Sequence, residues 1–207
     1  MRRSDLIRSF IAAELNEEAR DSVWECEQAL RRRIGGDVKW VERANLHITL
    51  RFLGEVESDL LEDSLELLEH ACEDLPPFEA RVEGLDAFPN RRRIRVLWCG
   101  LSKGAEELHE LAEAINLALR PLFPVTKDER FHPHITIGRS RGDLLQPEGP
   151  RSIDWDLEGP RPVCFTVSEV SIMQSQLRPE GPEYTRLWAV PLGGRLVECG
   201  RRQHDKR

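Results

Sequence analysis

The chain has 207 residues, 40% hydrophobic and 32% charged, enough to bury one ordinary core and too short for two independent enzymes. A formal net charge of −7 excludes a protein that coats nucleic acid by bulk phosphate neutralisation, so any nucleic-acid contact is expected to be local. No stretch approaches the roughly 20 apolar residues that span a bilayer, and the 5 cysteines, never in a CxxC spacing, suggest neither a disulfide framework nor a cysteine zinc site, so a cytoplasmic protein without membrane association is expected.

The opening segment MRRSDLIRSFIAAEL is interrupted by Asp5 and followed at once by Glu14, which reads as a first strand over 8–14 rather than a secretory signal. Asn16 is placed to cap a helix with Glu17 and Glu18 in its first turn, and Ala19, Val23, Cys26 and Leu30 recur at helical spacing up to the arginines at 31–33. A strand is predicted over 47–53. A second helix from Ser58 presents Leu61, Leu65, Leu68 and Cys72 on one face until Pro76 and Pro77. Strands over 78–88 and 94–101 precede a third helix from about Gly104, with Leu108, Leu111, Ile115 and Leu119 in register before Pro121. Further strands are predicted over 134–139, 163–173 and 184–192, with a Gly- and Pro-dense loop at 142–162. The sum is an α+β protein, expected as one catalytic domain over 1–195 with a short tail over 196–207.

The triplet HIT occurs at 47–49 and again at 134–136, each time opening a strand-like run, which suggests two related lobes. Alternate side chains of a strand share a face, so His47, Thr49 and Arg51 are expected on one side and Ile48, Leu50 and Phe52 on the other, under the helices. In the second copy His134 and Thr136 fall together, with Gly138 leaving space beyond them. Two imidazoles and two hydroxyls facing one cleft meet the needs of phosphodiester cleavage. One neutral imidazole removes a proton from the nucleophile, and the other, protonated, delivers one to the leaving oxygen. The unperturbed histidine pKa of about 6.5 leaves both forms accessible near neutrality. The threonine hydroxyls are suited to donating hydrogen bonds to the non-bridging phosphate oxygens. This scheme needs no metal and no cofactor, and the residues alone leave open which histidine is acid and which is base.

Other readings of the same residues predict other outcomes. His47, His132 and His134 would make a three-imidazole zinc site, and chelators would then abolish activity. A binding module that has lost catalysis would hold RNA without turnover. Phe10 and Tyr184 are candidates for stacking on a nucleobase, with core packing the competing role.

The longer strings NLHITLRFLGEV at 45–56 and FHPHITIGR at 131–139 resemble the two signature motifs of the two-histidine phosphoesterases, in particular the RNA 2',3'-cyclic phosphodiesterases also described as 2'-5' RNA ligases. RSFIAAEL, the FPN…RVLW stretch at 88–98 and SQLRPEGPEYTRLWAVPL agree in order, so the resemblance covers about residues 8–192. It implies two pseudo-symmetric lobes of antiparallel sheet with outer helices around a central cleft. It makes His47 the proton donor and His134 the proton acceptor, with Thr49, Thr136 and Arg139 binding the phosphate. The implied substrate is RNA with a 2',3'-cyclic phosphate end, such as a tRNA fragment, or a small cyclic nucleotide, and the implied product is a 2'-phosphomonoester. A monomer is expected. Joining of that end to a 5'-hydroxyl in a 2'-5' bond uses the same acid and base in exchanged roles.

Overall fold

The structure is a computed structural model that describes residues 6–34, 38–124, 131–145, 153–179 and 181–193. Its elements follow in the order β1 (Leu6–Glu14), α1 (Glu17–Arg33), β2 (Val38–Trp40), β3 (His47–Glu57), α2 (Ser58–Glu73), β4 (Phe78–Asn90), β5 (Arg93–Lys103), α3 (Ala105–Leu119), β6 (Ile135–Leu145), β7 (Val163–Val167), β8 (Glu169–Leu177) and β9 (Pro182–Pro191).

The helices begin where local chemistry directs. The Asn16 side chain accepts the Ala19 N–H at 2.9 Å, and the acidic first turn and basic last turn of α1 complement its dipole. Gly104, just before α3, has φ +83°, and a Cβ there would lie 2.7 Å from the Ala80 Cβ, so both backbone and packing require glycine. Each helix turns its apolar stripe to the sheet: Ala19, Val23 and Leu30 of α1, Leu61 and Leu68 of α2, and Leu108, Leu111 and Ile115 of α3 are all buried. Burying each leucine or isoleucine is worth roughly 1.5–3 kcal/mol. Among the described residues no helix is long and apolar enough to cross a membrane.

All strand pairings are antiparallel, and the order β7-β4-β5-β6-β3-β1-β8-β9 makes a single sheet, with β2 added on β6. The α+β antiparallel architecture expected from sequence is therefore present. The two lobes are the two halves of this sheet: β3, β1, β8 and β9 on one side, β6, β5, β4 and β7 on the other. They join through the pairing of Ile48 with Ile135, which ties the two histidine-bearing strands together at the centre.

Three features differ from the sequence reading. The predicted strand over 163–173 is two strands, β7 pairing with β4 in one lobe and β8 pairing with β1 in the other. The buried positions change parity at the break, from Val163, Phe165 and Val167 to Val170 and Ile172, so the chain exchanges faces as it changes lobes. The short strand β2 has no counterpart among the predicted elements, and it fills the space that Gly138 was expected to leave open. A Cβ on Gly138 would lie 2.9 Å from Val38 Cγ1 and 3.1 Å from Trp40 Cε3. Within the expected 142–162 loop, residues 142–145 instead extend β6 beyond the predicted 134–139 and pair with β5 through Ile94 and Arg93, residues 146–152 lie outside the described residues, and 153–161 folds onto α1, where Ser22 donates to the Arg161 carbonyl at 2.5 Å and the Cys26 thiol reaches the Glu158 carbonyl at 3.1 Å. The expected tail over 196–207 also lies outside them.

Candidate active site

His47 opens β3, and His134 stands immediately before β6, one residue earlier than the strand proper. Each ring is held by the carbonyl two residues upstream. His47 Nδ1–H donates to the Asn45 carbonyl at 2.7 Å, and His134 Nδ1–H donates to the His132 carbonyl at 2.6 Å. Both arrangements commit Nδ1 as a donor and leave Nε2 as the nitrogen available for proton transfer. The Asn45 carbonyl is itself fixed. Its side chain donates to the Pro182 carbonyl at 2.7 Å, and neighbouring Arg43 is bonded to Glu17 and Asp21 of α1 at 2.7 Å each. For His132, the following Pro133 restricts the backbone to extended conformations.

The two motif strands repeat one burial sequence. From the histidine onward, residues 47–52 and 134–139 both run half-buried, buried, half-buried, buried, buried, exposed. A bulge at the fourth position produces it in each lobe. On β3, Thr49 pairs with Ala12 and Arg51 with Ile11, leaving Leu50 without a partner on β1. On β6, Thr136 pairs with Trp98 and Gly138 with Leu97, leaving Ile137 without a partner on β5. Simple alternation fails beyond each bulge. Arg51, expected beside His47, turns inward, is 8% exposed, and donates to the carbonyls of Asn116 (2.9 Å) and Phe123. Phe52, expected under the helices, is instead 70% exposed, with its ring 6.3 Å from that of Phe10. In the other lobe the same shift sends Gly138 inward and Arg139 outward to the equivalent exposed position.

Each imidazole sits in an aromatic enclosure. The His47 ring lies 4.8 Å from Phe10 and 5.4 Å from Tyr184, which also touch each other at 4.9 Å. The His134 ring lies 5.1 Å from Phe88 and 5.9 Å from Trp98, which stack on each other at 5.0 Å. Phe10 is only 4% exposed, so its ring serves as the floor beneath His47 and Tyr184 rather than offering an open stacking face. Burial pushes His47 down to about 4, with the positive charges of His134 and Arg139 adding to the effect and the Asn45 carbonyl and Glu14 opposing it. Burial also lowers His134, helped by His132 and Arg139 and opposed by the His132 carbonyl. Burial raises the Tyr184 hydroxyl, against the charges of Arg139 and Arg8. Arg139 thus acts electrostatically on His47, His134 and Tyr184 alike.

The structure brings all seven sequence-predicted residues to this central region. Thr49 contacts His47 directly, its hydroxyl donating to Nε2 at 2.8 Å when the ring is neutral, and Thr136 holds the equivalent position on β6. Sequence reasoning missed Phe88, Trp98, Phe52 and Glu14 as parts of the site. Glu14 pairs with His47 across β1 and β3 and is held by Ser171 (2.5 Å) and Arg186 (3.2 Å). Phe88 at the end of the predicted 78–88 strand and Phe52 near the end of 47–53 were the available signals. Among the described residues, no three His, Cys, Asp or Glu side chains converge as metal ligands, and the rings of His132 and His134 lie side by side with centroids 6.4 Å apart.

Residues 19–178 match the family model of the 2'-5' RNA ligase superfamily. The chain belongs to that superfamily. Within it, the chain is 33% identical over 180 residues to the RNA 2',3'-cyclic phosphodiesterase of Methanothermobacter thermautotrophicus, covering 86% of this chain and 95% of that relative. It is 32% identical over 194 residues to the protein of the same name from Thermotoga maritima, covering 92% of this chain and 98% of the other. A crystal structure of a Thermus thermophilus protein superposes with a TM-score of 0.72 at 32% identity, covering 91% of this superfamily member and 99% of that chain.

Proposed function

We propose that this enzyme opens the 2',3'-cyclic phosphate at the end of an RNA to leave a 2'-phosphomonoester, using one histidine from each half of the sheet. The observation that carries the reading is the duplication itself: two histidines, each anchored through Nδ1 and each followed by a threonine and the same bulge, meeting where β3 joins β6. The names of the relatives in Methanothermobacter and Thermotoga supply the substrate class.

In the proposed reaction His134 Nε2 takes a proton from the attacking water and His47 Nε2 gives one to the departing 3' oxygen. The resemblance to the family assigns these two roles. Thr49 exchanges its hydrogen bond with His47 for one non-bridging oxygen, Thr136 donates to the other, and Arg139, shared electrostatically by both rings, neutralises the phosphate. Both free histidines favour the neutral state. A bound anion between them offsets the cost of protonation, so the substrate itself restores the acid. Tyr184 lines the leaving-group side, and exposed Phe52 offers a face for the terminal base. The proposed catalyst is a monomer in the cytoplasm whose residues 1–195 act as one bilobal catalytic domain on RNA ends such as tRNA fragments.

An oligoribonucleotide ending in a 2',3'-cyclic phosphate, incubated with the protein in EDTA, is expected to yield the 2'-phosphate at an unchanged rate. A 3'-phosphate product, binding without turnover, or complete inhibition by EDTA would each contradict the proposal.

A further inference from the structure

The fold presents the two HIT strands as near equivalents, yet hydrolysis by two histidines needs them in opposite protonation states. Ile48 pairs with Ala13 in one lobe, and Ile135 pairs with Cys99 in the other. One step from each of these pairs stands the histidine with the residue across from it. That residue is Glu14 for His47 and, by the same register, Gly100 for His134. Directly opposed residues of an antiparallel pair point to one face with Cβ atoms ~4.5–5.5 Å apart. A carboxylate therefore stands beside one imidazole, and at the matching position beside the other there is no side chain at all.

Glu14 is held as a hydrogen-bond acceptor by the two strands beyond it. The Ser171 hydroxyl of β8 donates to its Oε1 at 2.5 Å, and the Arg186 guanidinium of β9 donates to the same oxygen at 3.2 Å. Arg186 also donates to Glu169 at 2.5 Å. Two carboxylates share this guanidinium, so the cluster keeps negative charge on the side of His47. The other charged or titratable groups around that ring are Tyr184 from β9, with Arg8 of β1 acting on it, and His134 and Arg139 from β6. Burial, His134 and Arg139 oppose a proton on His47, whereas Glu14 favours one. The charges that act on His134 are His132 and Arg139, and both oppose a proton there.

We propose that Glu14 is a positioning residue that breaks the equivalence of the two lobes and places the catalytic proton on His47 rather than on His134. The inference rests on the acid and base roles given above. A phosphate bound between the rings attracts a proton to either of them, so it does not by itself choose. Glu14 acts on His47 alone, offsets part of the cost of burying that ring, and leaves His134 neutral to accept the proton of the attacking water. Arg186 tempers this effect, because its charge offsets that of Glu14.

The test measures kcat/KM for a 2',3'-cyclic phosphate oligoribonucleotide in EDTA at about pH 7.5, beside the titration of both histidine rings by NMR, in variants that keep the wild-type circular dichroism. Glu14→Gln removes the charge at nearly constant shape. It is expected to lower the proton affinity of His47 by about half a unit or more, to move His134 less, and to reduce kcat/KM at least about threefold. Glu14→Asp restores the charge and is expected to stay within about twofold of wild type. Arg186→Gln leaves the carboxylate in place and removes the charge that offsets it, so His47 and kcat/KM are both expected to rise. A structural brace would behave differently, since breaking it from either side lowers activity and leaves the ring titrations where they were. Losses of activity in both Glu14→Gln and Arg186→Gln, a His47 titration indifferent to both, or a shift of His134 as large as that of His47 would overturn the role of Glu14 and leave the two-histidine reading standing. Absence of hydrolysis by wild-type protein would remove both.

Discussion

His47→Ala and His134→Ala are each expected to lower kcat for opening a 2',3'-cyclic phosphate by at least about 10²-fold, because a positioned proton transfer contributes ~10²–10⁴. The two losses are not expected to multiply in the double variant. The rings serve one displacement, so removing either leaves the other with little to do, as is general for catalytic groups that act as a unit. Losses in kcat rather than KM are expected, since the threonines and Arg139 still hold the phosphate. Circular dichroism separates chemistry from folding, because His47 also packs against Phe10 and Tyr184, and His134 against Phe88 and Trp98. A folded variant retaining more than about a tenth of wild-type kcat would remove that histidine from the reaction.

Glu27→Gln is expected to stabilise the fold by about 2 kcal/mol at pH 8 and by nearly nothing at pH 5. Glu27 lies on α1 with no solvent exposure, and its Oε2 has no hydrogen-bond partner among the described residues. Burial pushes its carboxyl up to about 8, with Arg31 opposing and Glu42 adding. The folded state therefore holds this proton more tightly than the unfolded chain, whose carboxyl titrates at 4.5. The resulting stability is complete below the unfolded value and is lost as pH rises through 8. Over pH 5–8 the linkage amounts to roughly 3–4 kcal/mol as an upper bound, and relaxation of the surroundings around the charged carboxylate reduces it to about half. Glutamine mimics the protonated acid and avoids the cost of charging. Urea unfolding at the two pH values measures the difference. Equal stability of the variant and wild type at pH 8, or equal destabilisation at both pH values, would show that Glu27 is paired and charged.

Much of this architecture was legible because the relevant signals are local. Asn16 with two following glutamates marks a helix start, prolines at 76, 77 and 121 mark helix ends, and the repeated HIT marks the two strands that carry the chemistry. The part that was not legible depends on what lies alongside a strand. Arg51 and Phe52 stand on the faces opposite to those that alternation predicts, because a bulge is created by the partner strand and leaves little trace in the sequence of the bulged one. The same bulge explains why Arg139 serves the site, although simple alternation would have turned it away from His134 and Thr136. The exchange of β7 into β8 is written in the shift from odd to even apolar positions at Ser168, a parity change that a reading by composition passes over. Phe88 and Trp98 sit 46 and 36 residues upstream of the histidine they enclose, joined to it only by sheet pairing.

The pH dependence of kcat/KM on a 2',3'-cyclic phosphate RNA, measured in EDTA, tests the two-histidine chemistry most directly. This parameter reports the free enzyme, and productive encounters require one proton shared between the two rings. With His47 pushed down to about 4 and His134 also lowered from 6.5, the singly protonated pair is most abundant on the acid side of 6.5. A bell with its maximum below pH 6.5 and a fall of about tenfold per unit above it is expected, with kcat displaced to higher pH as bound phosphate raises both rings. A kcat/KM that stays flat, or climbs steadily to alkaline pH, would contradict acid–base catalysis by His47 and His134.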